Sequence, residues 1–182
     1  MKENEVFETL FKVADILKSR RIPSVLVGAF AFSALGGARA TLDVDFMIMA
    51  DSKGLDTLRQ KARAMEFEQD KDWERENPLL KDLQIRLIHR GIPVDIMLAR
   101  DSHDREVIER RKRKKIHGKT IWIPTAEDFI IQKLKVGRPR DFEDALVILV
   151  YHKKKMDRDY LYQWASCLNI VEEMNYLFSC LN

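Results

Sequence analysis

The sequence predicts an α+β fold, with a central mixed sheet flanked by helices and a helical C-terminal lobe. Apolar strands and amphipathic helices alternate as far as about residue 124, and the pattern is helical from there onward. Two of the strand segments carry acids among apolar residues. With 182 residues, 46% of them hydrophobic, the chain can form one compact unit that is divided into segments 1–124 and 125–182.

The first segment shows helical spacing and strand-like alternation in turn. Ile22-Pro23 and Gly36-Gly37 end its first two helices, and Asp51 and Asp101 are expected N-caps. The predicted elements are, in order, helix 3–20, strand 24–27, helix 30–35, strand 42–49, helix 53–65, a mobile polar loop 70–81, strands 83–89 and 92–98, and a charged helix from 102 that runs into a basic stretch.

The later elements follow from turn and capping residues. Arg90-Gly91 suits a tight hairpin turn between strands 83–89 and 92–98, and Gly118-Lys119 suggests a small ribbon. Thr125 is the expected cap of the next helix. The helices predicted in the second segment are 126–136, 140–152, 158–167 and 169–180.

Paired acids are the main functional signal. Asp43 and Asp45 are two apart on a predicted strand, so both side chains project to one face while Val44 turns into the core. Adjacent carboxylates resist joint ionisation unless a cation lies between them, and Mg²⁺ prefers such oxygens. Asp95 is a single acid in an apolar strand, where an unpaired charge is costly to bury. Three carboxylates from neighbouring strands suit a two-metal phosphoryl-transfer site, although each acid could instead face solvent.

Four other residues are candidates for phosphate binding. Gly28 and Ala29 lie at a strand-to-helix turn, where small residues let backbone N–H groups approach phosphate oxygens, but an ordinary turn has the same pattern. Ser33 could contact phosphate, or it could cap or pack. Lys133 could reach a phosphate as a point charge. Asp141 and Asp144, at the start of the next helix, could orient this lysine or an arginine, or could simply interact favourably with the helix dipole.

Charge and cysteine content limit the function further. The net charge of +3 is uninformative, but residues 110–115 form an uninterrupted basic run, which suits either a phosphate backbone or a solvated helix end. Cys167 and Cys180 are expected as half-buried thiols of a cytoplasmic protein. We expect no membrane span or secretory signal, and the sequence has no zinc-ligand spacing and no GxxxxGK[ST] loop.

These residues resemble the signature of the DNA polymerase β-like nucleotidyltransferase superfamily. That signature is an apolar residue, Gly, then Gly or Ser, followed by Asp-x-Asp between apolar residues and a third Asp on a later strand. Segments 36–41 and 133–144 look like the small prokaryotic branch, which includes abortive-infection and toxin–antitoxin nucleotidyltransferases. Ala29 departs from the signature, so a hydroxyl contact to phosphate is absent there. The matching segments are Val27-Gly28-Ala29, Leu42-Asp43-Val44-Asp45-Phe46 and Val94-Asp95-Ile96.

The resemblance implies a nucleotidyltransferase-like core in segment 1–124, with segment 125–182 forming the other wall of a cleft. The implied reaction transfers a nucleoside monophosphate from an NTP to an acceptor hydroxyl of RNA, a protein or a small molecule, and releases pyrophosphate. The implied roles are Asp43 and Asp45 as ligands of two Mg²⁺ ions, Asp95 as a ligand of the second ion, Gly28 and Ala29 at the phosphates, and Lys133 at the leaving pyrophosphate.

Two alternatives stay open. One is a catalytically silent nucleotidyltransferase-like module that binds a partner protein of a toxin–antitoxin pair. The other is a nucleic-acid-binding protein that uses the basic run 110–115.

Overall fold

The computed structural model describes residues 2–181, with side chains from residue 4 onward, so residues 1 and 182 of the predicted segments lie outside it. It contains a five-stranded sheet, a two-stranded ribbon and helices around them, which confirms the predicted α+β class. The elements are α1 (Lys2–Ser19), β1 (Ser24–Leu26), α2 (Gly28–Ala34), β2 (Val44–Ile48), α3 (Ser52–Lys61), β3 (Glu68–Gln69), α4 (Lys71–Glu76), β4 (Gln84–His89), β5 (Ile92–Leu98), α5 (Ser102–Arg110), β6 (Lys112–Ile116), β7 (Lys119–Ile123), α6 (Ala126–Val136), α7 (Pro139–His152), α8 (Arg158–Cys167) and α9 (Val171–Ser179).

The central sheet is mixed, with strand order β1-β2-β5-β4-β3. β2 and β5 run parallel, and each of the other neighbouring pairs is antiparallel. The parallel register places Asp45 directly beside Asp95. Because residues in register on neighbouring strands face the same side, the sheet brings together two acids that are far apart in sequence.

One hydrophobic core joins the sheet to helices of both predicted segments. β2 is buried on both faces, since Phe46 belongs to this main core while Met47 packs with α5 in a smaller one. A strand covered on both sides must be apolar almost throughout, which makes Asp45 exceptional within β2. Side chains of the main core include Leu10, Leu17, Leu55, Ile85, Ile96, Ile130, Ile148, Leu161 and Leu177.

Two local predictions were wrong. The polar stretch 70–81 is not a loop: Asp70 caps α4 by accepting a hydrogen bond from the Trp73 backbone N–H at 3.0 Å, and Trp73 packs against the Arg86 guanidinium. The basic run does not extend α5, because residues 112–116 pair with β7 as one strand of the ribbon. Tertiary packing stabilises a helix in the first place, and strand pairing overrides helix preference in the second.

Two further observations concern the cysteines and the membrane. Cys167 and Cys180 are free and exposed, not half-buried, because they lie at the outer ends of α8 and α9. No helix within residues 2–181 combines the length and apolar character needed to cross a membrane.

Candidate active site

The paired acids lie at the start of the most buried strand. Asp45 is the second residue of β2 and is partly buried, whereas Asp43 is exposed and immediately precedes the strand. The Asp43 backbone N–H donates to the Thr41 hydroxyl oxygen at 3.2 Å, which holds the approach to the strand. Asp45 therefore faces the site from the sheet, and Asp43 faces it from the preceding loop.

Asp45 has an unusual electrostatic environment. Burial, followed by the negative charges of Asp95 and Asp43, raises its pKa from 3.8 to about 7. The positive charges of Arg86 and Lys133 oppose this effect without cancelling it. A carboxylate in such surroundings lacks positive charge, which a divalent cation would supply.

Gly28 touches this carboxylate. It begins α2 with φ of +63°, and a Cβ built on it would lie 2.0 Å from Asp45 Oδ2, so only glycine fits there. The preceding Val27 N–H donates to the Asp45 carbonyl at 2.9 Å, which fixes the turn against β2. Ala29 comes next, but its side chain is buried in the core, leaving only its backbone for a ligand.

Asp95 is beside Asp45 but is already paired. The Arg86 guanidinium donates to both carboxylate oxygens, at 2.8 and 2.5 Å, and Asp95 is only 6% exposed. Arg86 also stacks on the Trp73 ring, and its hydrogen bonds with Asp95 raise its pKa above the ordinary value. In the described part of the chain, no three His, Cys, Asp or Glu side chains are arranged to hold a metal ion.

Lys133 is the centre of a charged network on the helical side. Its ammonium donates to Asp141 and to Asp144, each at 2.7 Å. Arg138 also donates to Asp141, at 2.6 Å, and Arg39 donates to Asp144 at 3.0 Å. Burial alone would raise the pKa of Asp141, but hydrogen bonds from Lys133 and Arg138 hold it below the ordinary value. These acids therefore orient the cations as well as lying near the start of α7.

One cavity of about 430 Å³ is lined by residues of both groups. We call Asp43 and Asp45 the acidic wall. Ser33 is not in this cavity; its hydroxyl donates to the Arg39 carbonyl at 3.4 Å, and its side chain lines a neighbouring cavity. The cations that line the same cavity, which we call the basic wall, are Arg39, Lys133, Arg138 and Arg140, and Asp141 lines it beside them.

Sequence reasoning assigned no role to Arg86 or to the arginines of the basic wall. The signal for Arg86 was present: a two-residue turn at Arg90-Gly91 places residue 86 opposite Asp95, as the structure has it. Arg39 offered no comparable signal, because its partner Asp144 is 105 residues away.

The fold is shared with solved nucleotidyltransferase structures. An antigenic nucleotidyltransferase-like protein from Paracoccidioides brasiliensis superimposes with a TM-score of 0.58 at 18% identity, covering 81% of this chain and 77% of that one. The lincosamide antibiotic adenylyltransferase LnuA, lincomycin-bound, superimposes with a TM-score of 0.51 at 14% identity, covering 78% of this chain and 94% of that one. ANT(2'')-Ia in complex with adenylyl-2''-tobramycin superimposes with a TM-score of 0.57 at 13% identity, covering 91% of this chain and 97% of that one.

Sequence comparison identifies the family. No curated protein matches the chain. The profile of the family described as "Nucleotidyl transferase of unknown function (DUF2204)" matches residues 6–173, which is most of the sequence and includes both walls of the cavity. Together with the shared fold, this match confirms the resemblance to the polymerase β-like superfamily. The chain belongs to this nucleotidyl transferase family.

Proposed function

We propose that the protein is a Mg²⁺-dependent nucleotidyltransferase that transfers a nucleoside monophosphate from an NTP to an acceptor hydroxyl and releases pyrophosphate. The observation that supports this most is one cavity of about 430 Å³ that is lined by both the acidic wall and the basic wall. A metal–triphosphate complex needs carboxylates on its metal side and cations on its phosphate side.

The chemistry of the acidic wall fits Mg²⁺. Asp43 and Asp45 offer hard oxygen donors, and burial, followed by the negative charges of Asp95 and Asp43, raises the pKa of Asp45. Mg²⁺ in phosphoryl-transfer enzymes is bound through one or two carboxylates together with substrate phosphates, so two protein ligands are enough. When bound, the ion would neutralise phosphate charge and polarise the phosphoryl group.

The remaining residues would position the nucleotide. Arg138 and Arg140 would bind triphosphate oxygens, and Lys133, held by two acids, would offset charge that develops on the leaving pyrophosphate. Gly28 would let the backbone lie against the substrate without a side chain between them, with the Ala29 N–H as a further donor.

Asp95 is the third carboxylate of the proposed set. Arg86 donates one hydrogen bond to each of its oxygens, so a second ion would bind through the lone pair that each oxygen keeps. Asp95 also acts on Asp45 through charge and helps to raise its pKa.

The proposal is tested by incubating the protein with Mg²⁺, each α-labelled NTP in turn and total cell extract, and following transfer of the label. We expect transfer with the wild type and with Asp15→Asn, an exposed acid on α1. We expect none with Asp43→Asn or Asp45→Asn, provided that circular dichroism shows both variants folded. Equal transfer by the Asp45→Asn variant would refute the proposal.

Calorimetric titration separates this proposal from the silent-module alternative. An active enzyme should bind Mg²⁺–NTP in a manner that depends on Asp45, whereas a silent module would bind none. The nucleic-acid alternative instead predicts binding that weakens steeply with salt and does not change in Asp45→Asn.

A further inference from the structure

A second and larger cavity lies beside the acidic wall. Its volume is about 880 Å³, roughly twice that of the cavity between the two walls. It is formed by α1, α2, the loop 36–42 that leads to Asp43, the ribbon strand β6 and the end of α7. We call it the side cavity. Its size is in the range that holds a drug-sized molecule.

The side cavity presents a largely apolar surface. Phe7 contacts Phe30 and His117, with ring centroids 5.6 and 4.0 Å apart. Leu42 and Tyr151 also line it, yet they are 54% and 69% exposed. Large apolar side chains that converge on one concave surface and remain open to solvent are typical of ligand-binding sites.

Its charge has one sign. Arg39, Lys114 and Lys115 line the side cavity, and none of the described lining residues is an Asp or Glu. Lys114 and Lys115, on strand β6, are the two residues of the basic run 110–115 that line the cavity. An anionic group is therefore attracted here, and a polycationic ligand is repelled.

The side cavity shares a lining residue with the proposed reaction centre. Arg39 lines both cavities and donates to Asp144, which also holds Lys133. Leu42 lines the side cavity and is directly followed by Asp43. A molecule in the side cavity would thus lie against the same loop that presents the acidic wall.

We infer that the side cavity binds the acceptor of the proposed reaction, a small hydroxyl-bearing molecule with an apolar ring body and an anionic substituent. The inference rests on the proposed function. In the transfer, the acceptor oxygen forms a bond to the α-phosphorus and the bond from that phosphorus to the bridging oxygen breaks. Pyrophosphate leaves with the bond electrons, and the hydroxyl proton is released to water.

Binding is tested with a matched pair of fluorescent probes. These are 1-anilinonaphthalene-8-sulfonate and N-phenyl-1-naphthylamine, which has the same ring body without the sulfonate. We expect the sulfonate to bind more tightly, and the double variant Lys114→Gln/Lys115→Gln to weaken it about tenfold while leaving the amine unchanged. Ala40→Trp, which fills the cavity from its loop, should weaken both probes. Lys112→Gln, on the same strand but outside the cavity, should change neither.

Two further measurements make the outcomes distinct. The sulfonate probe should inhibit transfer of label to extract acceptors in competition with the acceptor, while Mg²⁺–ATP binding measured by calorimetry stays unchanged.

Equal affinity for the two probes, or loss of sulfonate binding in the Lys112→Gln variant alone, would overturn the side cavity as an anion site. Uncompetitive or absent inhibition would overturn it as the acceptor site. If wild-type protein binds none of the four Mg²⁺–NTP complexes although the probe pattern holds, the proposed function fails, and the acceptor assignment fails with it for that separate reason.

Discussion

Replacing Asp45 by Asn should stabilise the protein at neutral and alkaline pH while abolishing nucleotide transfer. The folded protein holds Asp45 with a pKa of about 7 because the carboxylate is buried near Asp95 and Asp43. In the unfolded chain the same group has its ordinary pKa of 3.8. Asn has nearly the same shape as the protonated acid and carries no charge, so it avoids the cost of ionisation in the fold.

The sign and size of the effect follow from proton linkage. Between pH 3.8 and about 7 the folded state retains a proton that the unfolded state releases, so the free energy of unfolding falls as pH rises through this window. Each pH unit lowers the free energy of unfolding by about 1.4 kcal/mol, which amounts to on the order of 4 kcal/mol over the whole window. Most of this cost falls above pH 5, so the advantage of Asp45→Asn over the wild type should grow by about 3 kcal/mol between pH 5 and pH 8.

Urea unfolding at pH 5, 6, 7 and 8 measures this difference directly. Asp15→Asn, which removes an exposed acid, is the control and should stay within about 0.5 kcal/mol of the wild type at each pH. Mg²⁺ should stabilise the wild type at pH 8 but not Asp45→Asn. If the difference in the free energy of unfolding between Asp45→Asn and the wild type did not change with pH, this account of the site would be refuted.

Two other substitutions test the contacts around Asp45. Gly28→Ala should destabilise by about 2 kcal/mol more than Gly91→Ala and should abolish transfer, because both glycines have positive φ but only the Cβ at Gly28 meets Asp45. Urea unfolding and the label-transfer assay measure these effects, and equal losses in the two variants would contradict the close contact. Arg86→Met should lower the free energy of unfolding by about 3 kcal/mol, because it leaves Asp95 buried without its partner. Adding Asp95→Asn should restore most of that stability, which a double-mutant cycle of urea unfolding measures. If the two substitutions lowered the free energy of unfolding additively, Arg86 and Asp95 would not be energetically coupled.

Local signals predicted the elements that hold the site. Alternation placed β5, and Thr125 was correctly expected to cap α6, since its hydroxyl accepts from the Asp128 N–H at 3.1 Å. These signals work because strand alternation and helix capping depend on residues a few positions apart. The helix bounds 126–136 and 158–167 were predicted as the structure has them.

Predictions that depended on distant partners were less successful. The polar stretch 70–81 forms α4 because Trp73 packs on Arg86, and the basic run forms β6 because β7 pairs with it. Neither partner is visible in a window of local sequence. Ser33, which could contact phosphate or could cap or pack, lines the side cavity, and a role in phosphate binding stays a prediction.

The sequence by itself determined which chemistry the chain carries: two acids at the start of a buried strand, a third in a later strand, and a glycine where the backbone must pass a carboxylate. Only the tertiary structure decided how those charges are balanced. It pairs Asp95 with Arg86, buries Asp45 near two other acids, and places Arg39 in the lining of both cavities. The physical reason is that a carboxylate's ionisation depends on burial and on every charge within a few ångströms, which chain folding brings together from remote positions.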